Sequence, residues 1–207
     1  MKIITISREF GSGGRELGKR LADLLGFDYY DSEIISAVAQ KSGMDAHYVE
    51  TALDNHGWQD FSISFGGTIH STEYLQASKI ELLVQQRKVI EEIAALGKDC
   101  VIIGRNADVI LQDRHPFNMF VCADQEAKLA RCRARAREEE HLTDRELLRK
   151  MREIDRGRAR TRDFLSGTRW GVRESYHLIV NTGGWDMKAL ADAVAHFAES
   201  WFFNNGL

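Results

Sequence analysis

The densest chemical signal in the chain lies at Ser7 to Arg15, which reads Ser-Arg-Glu-Phe-Gly-Ser-Gly-Gly-Arg. It follows a short β-branched run, Lys2 to Ile6, and precedes a stretch where Leu17, Leu21, Leu24 and Leu25 recur at helical spacing. A chain that turns from a buried strand into a helix start, with glycines letting the backbone come close, aims several N–H groups and a helix dipole at one spot. Such a spot takes phosphate. The plainer alternative is a flexible strand-to-helix turn. On the phosphate reading Arg8, Gly11, Ser12, Gly13, Gly14, Arg15 and Glu16 are the candidate nucleotide-binding residues.

The loop is not G-x-x-x-x-G-K-[ST], the pattern in which lysine bridges the outer phosphates and a hydroxyl holds magnesium. It contains no lysine. Arg8 and Arg15 are the cations at hand, and Arg15 follows Gly14 where the lysine is expected, which makes it a catalytic candidate. Glu16 stands at the hydroxyl position, and Ser12 is the nearest hydroxyl in the loop. The metal ligands are not legible.

Two more strand-like runs end in polar residues. Phe27 to Tyr30 leads into Asp31-Ser32, and Cys100 to Ile103 leads into Gly104-Arg105-Asn106. A guanidinium beside a buried strand is costly unless it meets an anion. For Arg105 that anion is a carboxylate, Asp31 or Asp108, or else the phosphate of a second ligand. Between Arg131 and Arg162 the chain is crowded with arginines, partly balanced by Glu138-Glu139-Glu140, Glu146, Glu153 and Asp155. A solvated helix face accounts for about half of them. Arg156 and Arg160, four apart, are the candidates for an arm that closes over phosphates and takes up their charge.

These pieces need a scaffold. Strands at Lys2–Ile6, Phe27–Tyr30, Cys100–Ile103, Phe117–Ala123 and His177–Val180 alternate with helical stretches. The helices are expected over Arg15–Leu25, Asp31 or Ser32 to Gln40, Asp45–Asn55, Thr72–Leu96, Asp124–Arg160 and Asp186–Phe203. Asp31 and Ser32 are expected as N-caps, Gly26 as a C-cap, and Leu142-Thr143 as a break in the long charged helix. The alternation predicts right-handed crossovers and a five-stranded parallel sheet, with ligands beyond the carboxyl ends of its strands. Gly57 to Thr72 has no clean period and reads as a mobile segment over a site.

The 207 residues fit one domain, 1–207, large enough to bury roughly 70% of its unfolded surface. A net charge of −3 argues against general nucleic-acid binding. No run approaches ~18 apolar residues, so no membrane span is expected. Cys100, Cys122 and Cys132 form no C-x-x-C pair and read as free thiols, and with a start that enters a strand directly they point to the cytoplasm. The histidines show no zinc spacing. Trp201-Phe202-Phe203 reads as core or homodimer packing.

Ile3-Thr-Ile-Ser, the glycine loop, Tyr30-Asp31-Ser32, Gly104-Arg105-Asn106 and Asp155-Arg-Gly-Arg-Ala-Arg160 occur in the order found in bacterial cytidylate kinases. More closely, the chain resembles the cytidylate kinase-like family, through its S-R-E-F-G-S-G-G start and the segment Trp170-Gly171 to Tyr176-His177-Leu178. The resemblance implies a P-loop nucleoside monophosphate kinase fold, α/β, with an acceptor-binding region at about 31–96 and a helical lid within about 131–162. It implies ATP and Mg²⁺ as cofactors and CMP or dCMP as acceptor. Asp31, Ser32, Arg105, Arg131 and Arg160 would bind the acceptor or its phosphate, and Arg156 a phosphate. Two departures stand out: Gly14 occupies the lysine position, and Gly157 replaces an aspartate. ATP-dependent phosphoryl transfer to a nucleoside monophosphate is the expected function. The alternatives are a nucleotide-binding regulatory protein that lost catalysis and a kinase of another small molecule.

Overall fold

Ile3–Arg8 (β1) is buried at all of its positions, which is the condition of a strand covered on both faces. The computed structural model describes residues 1–54, 70–135 and 142–207, so most of the 57–72 segment, at 55–69, lies outside the described residues. After β1 come Gly14–Leu25 (α1), Asp28–Tyr30 (β2), Ser32–Ser42 (α2), Ala46–Asp54 (α3), His70–Ala95 (α4) and Cys100–Ile103 (β3). Ala107–Ile110 (α5), Phe117–Cys122 (β4), Gln125–Arg135 (α6), Asp144–Ser166 (α7), Leu178–Asn181 (β5) and Met187–Asn204 (α8) complete the order. The five strands pair in parallel in the order β2-β3-β1-β4-β5.

β1 therefore sits in the middle, with Ile6 level with Ile103 on one side and Met119 on the other. Chain excursions from β1 go to one side of the sheet first and to the other later. The crevice for a ligand lies where they part, at the end of β1.

Alternation along the strands builds two cores. Ile3, Cys100 and Ile102 face α2, α3, α4 and α5, whereas Ile4, Ile6, Val101 and Ile103 face α1 and α8. α1 comes close to the sheet because Gly18 has no side chain: a Cβ there would collide with Ile103 Cδ1 and lie 3.1 Å from Ile6 Cδ1. Phe202 is fully buried in the second core while Phe203 points outward. No described helix is long and apolar enough to cross a membrane.

The charged stretch 124–160 breaks at Leu142-Thr143 as expected, because Thr143 makes a capping box with Glu146 that starts α7 afresh; α7 then runs on to Ser166, past the expected end at Arg160, and residues 136–141 lie outside the described residues. Two further points differ from expectation. Asp31 stands at the N-cap of α2 without capping it, since its carboxylate is drawn to arginines instead. The short α5 was not foreseen: one turn carries too few residues to show a period. Gly26, in contrast, caps α1 in the left-handed conformation as expected.

The β4–β5 edge carries a pH-sensitive joint. His177 Nδ1 accepts the Asn118 N–H at 2.9 Å, and its ring lies against Phe117 and Trp201, with centroids 5.8 and 4.8 Å away. Burial pulls its pKa below the ordinary 6.5. The unfolded chain thus takes the proton first, so the stabilisation is complete above about pH 6.5 and is lost as pH falls through the folded value. His177→Asn keeps an acceptor and removes the titration. Urea midpoints at pH 7.5 and 5.0 are expected to move against the wild type relative to this variant on acidification; an unchanged difference would refute the assignment.

Candidate functional site

The glycine loop joins the end of β1 to α1. Gly11 and Gly13 both have positive φ, 75° and 81°, and Gly13 is the N-cap of α1. L side chains rarely adopt these angles, so glycine is required twice. The N–H groups of the first turn, from Gly14 on, have no acceptor within the helix and face the loop's opening together with the positive end of the dipole. The sequence-predicted glycine turn from strand into helix is present.

The loop is held from outside. Ser12 is fully buried, and its Oγ donates to Glu9 O at 2.8 Å. Arg131, on α6, donates to Ser12 O at 3.2 Å, to Thr182 Oγ1 at 2.8 Å and to Thr182 O at 2.8 Å, while Thr182 Oγ1 donates to Ser12 O at 2.6 Å. Lys128, also on α6, reaches Glu9 at 2.8 Å, and Phe10 N–H donates to Asp155 on α7 at 2.8 Å. Arg158 NH1 donates to Arg8 O at 3.0 Å and to Asp155 Oδ1 at 3.1 Å. Both helices of the arginine-rich segment therefore grip the loop.

A cavity of about 410 Å³ opens beside the loop, lined among others by Gly11, Gly13, Gly14, His47 and Leu147. Its described walls carry seven basic side chains, Arg8, Arg15, Arg131, Arg133, Arg135, Lys150 and Arg158, against two carboxylates, Glu9 and Glu50. Such an excess focuses anions. A second, smaller cavity of about 40 Å³ adjoins it, walled by Ser7, Arg8, Leu53, Gln86, Gly104, Arg105, Asn106, Arg158, Thr161 and Trp170.

Arg8 lies at the centre. Its side chain is 8% exposed, and the Arg8 pKa is pushed down to about 9, first by burial and then by the charge of Arg158, with Arg15 and Arg105 adding to the effect and Asp31 opposing it. At neutral pH it remains a cation. Asp31 Oδ2 pairs with Arg15 Nε at 2.6 Å, and Oδ1 lies 3.5 Å from Arg8 NH2 with no hydrogen bond of its own. One buried carboxylate thus serves two guanidiniums.

Arg105 has φ 58°, in the left-handed region that an arginine rarely adopts, and Asn106 follows at φ 53°, which asparagine tolerates better; Gln86 Nε2 donates to Arg105 O at 3.0 Å. The two carboxylates weighed against Arg105 are engaged elsewhere as well: Asp31 with Arg8 and Arg15, and Asp108 with the buried Arg162, a pair that ties α5 to α7. Removing one partner of such a pair costs on the order of 3–5 kcal/mol. Arg162 is thus structural.

The other sequence-predicted residues fall apart into groups. Ser32 opens α2 and its O accepts from Ser36 Oγ. Glu16 pairs with Arg20 at 3.0 Å and Arg135 at 2.8 Å. Arg156 and Arg160 are exposed on α7 and line neither cavity. Arg158, passed over in favour of those two, lines both, and Asp155, Lys128, Gln86, Thr182 and Trp170 were not singled out for the site. The inward stripe of α7, Met151, Ile154, Gly157 and Thr161, gives the phase that would have found Asp155 and Arg158. Magnesium is not offered its usual hydroxyl: Glu16 is ion-paired at that position and Ser12 Oγ is turned inward. Among the described residues no group of three or more His, Cys, Asp or Glu side chains converges to hold a metal.

A family model described as the cytidylate kinase-like family matches residues 3–184. No curated protein matches the sequence. Among solved structures, an uncharacterized protein from Eubacterium ventriosum is 23% identical, with a TM-score of 0.70 over 97% of this chain and 99% of that one. Shikimate kinase from Acinetobacter baumannii, in complex with shikimate, is 16% identical, with a TM-score of 0.55 over 97% and 94%. Deoxyadenosine kinase from M. mycoides, with dCMP and a flexible dCDP bound, is 10% identical, with a TM-score of 0.52 over 96% and 99%. At these identities the likeness speaks for the fold: a P-loop kinase fold with an all-parallel sheet.

Arg131 is expected to set the shape of the loop. Charge-assisted hydrogen bonds contribute about 1.5–3 kcal/mol, so Arg131→Ala is expected to raise amide hydrogen exchange at Ser12 and Leu17, whose N–H groups donate to Glu9 O and Gly13 O, roughly tenfold or more. Unchanged protection at both amides would show that the brace is dispensable.

Proposed function

The chain belongs to the cytidylate kinase-like family, and from that premise we propose that it transfers the γ-phosphoryl group of ATP to a nucleoside monophosphate, CMP or dCMP first among them. The observation that carries this reading is the pair of adjoining cavities at the end of β1. The larger is walled by the glycine loop and seven basic side chains, and the smaller by Arg105 and Trp170. Phosphoryl transfer asks a protein chiefly for positioning and for charge neutralisation, and this arrangement supplies both.

The geometry supports the following division of labour. The N–H groups of the loop and of the first turn of α1 hold the donor's phosphate chain. Arg131 keeps the loop in shape through Ser12 O. Arg105, at the end of β3, meets the acceptor's phosphate, and Asp31 orders the arginines around it. The acceptor phosphate attacks in line and needs no general base, because its oxygen is already ionised. Guanidiniums take up the growing charge, together with the Mg²⁺ that ATP would bring on its own phosphates. Arg15 faces Asp31 and Glu50 at the mouth, 51% exposed, where an arriving nucleotide would draw it away. Arg156 and Arg160, on the outer face of α7, would join only if that arm moved.

A kinase of another small molecule is the second reading, favoured by the narrowness of the smaller cavity, whose described walls leave about 40 Å³. Production of ADP from ATP, followed by a coupled assay across nucleoside monophosphates and small hydroxylated acceptors, separates the two. Turnover with a cytosine monophosphate is expected. Turnover restricted to a non-nucleotide acceptor would transfer the case to the second reading, and ATP binding without ADP from any acceptor would sink both. Arg105→Ala is expected to raise the acceptor's KM roughly ten- to hundredfold, the value of a lost charge-assisted hydrogen bond, and to leave that for ATP nearly unchanged. Equal effects on both KM values would remove Arg105 from the acceptor side.

A further inference from the structure

Arg8 and Arg158 are the two described residues that line both cavities. Their side chains stand on the boundary between the space beside the glycine loop and the space beside Arg105. Arg8 reaches that boundary through room that two glycines leave. A Cβ on Gly14 would lie 2.8 Å from Arg8 Cβ and 3.2 Å from Arg8 Cδ, and a Cβ on Gly104 would collide with Arg8 NH1. The volume that a side chain at position 14 needs is thus filled by the stem of Arg8, arriving from the strand.

Among the described residues the charge of Arg8 is only partly answered. Among the described residues its guanidinium has one ion-pair partner, Asp31 Oδ1 at 3.5 Å, and Asp31 gives its other oxygen to Arg15 at 2.6 Å. A guanidinium so buried, with so distant a counter-ion, calls for a second anion.

We propose that Arg8 takes the place of the missing loop lysine, holding the phosphoryl group as it passes from the nucleotide in the larger cavity to the acceptor in the smaller one. Arg158 acts as a positioning residue, since its NH1 holds Arg8 O at 3.0 Å and so fixes the strand end from which Arg8 projects. The proposal rests on the phosphotransfer reading given above. In the step itself, the bond from the γ-phosphorus to the β,γ-bridging oxygen breaks, and its electron pair leaves with ADP. A bond from the γ-phosphorus to an ionised oxygen of the acceptor phosphate forms, so no proton moves. The planar fork of Arg8 meets the equatorial oxygens, on which charge is spread.

Arg8→Met keeps the apolar stem and removes the charge; Arg8→Lys keeps the charge and removes the fork. With the wild type active, single-turnover transfer by Arg8→Met is expected to fall by roughly 10²–10³-fold, with a much smaller change in ATP affinity. Tetrafluoroaluminate, a mimic of the group in flight, is expected to lock ADP and the acceptor onto the wild type and not onto Arg8→Met. A folded Arg8→Met with a rate within about tenfold of wild type, or one whose ATP affinity falls as far as its rate, overturns the proposal. If Arg8→Met does not fold, Arg8→Lys carries the test: a loss of roughly tenfold or more in rate at preserved ATP affinity supports it, and wild-type rate overturns it. If the wild type transfers nothing to any acceptor, the functional reading falls by itself. Calorimetry with pyrophosphate then decides for Arg8: about tenfold weaker binding by either variant supports its place as the anion holder, and equal binding removes it.

Discussion

Arg8 emerges from the central strand with its side chain buried, and the charges of Arg158, Arg15 and Arg105 all act on it. Like charges repel, and burial removes the solvent that would mute the repulsion. The architecture around the end of β1 answers this one constraint. Asp31 gives up capping α2 to stand between Arg8 and Arg15, Asp155 turns from α7 to take Arg158 and a loop N–H, and Glu9 takes Lys128. The remaining excess of positive charge faces the two cavities, and that excess makes the place receptive to anions.

The same constraint explains why α6 and α7 lie where they do. Glu9, Ser12 and Phe10 belong to the loop, yet their partners come from residues more than a hundred positions away. Glycines give the loop its shape at the cost of stiffness. The arginine-rich segment returns that stiffness from outside, so its helices are part of the loop's foundation as well as the roof of the larger cavity.

Much of this was legible in the sequence because the signals were local. The strand-loop-helix start, the Gly26 cap and the alternation of strands with helices depend on neighbours within a few residues, and the strands and the first helix were placed to within a residue or two. The break at Leu142-Thr143 was legible for the same reason, since Thr143 and Glu146 are three apart. What failed was non-local. Asp31 has the composition of an N-cap, but two arginines from elsewhere outcompete the helix end for its carboxylate. Arg156 and Arg160 have the right type and spacing, yet the turn of α7 aims Arg158 inward and leaves them outside. Residue type alone could not tell them apart; the phase set by Met151, Ile154 and Gly157 could.

The absence of a Cβ at Gly14 bears on how such a loop changes over time. Positions 8 and 14 share one volume, so neither is free to drift alone. A lysine placed at 14 while Arg8 stays would force two side chains into the room of one, whereas losing Arg8 first would leave the crevice with neither cation. The two loop chemistries are separated by a valley that only a paired exchange crosses.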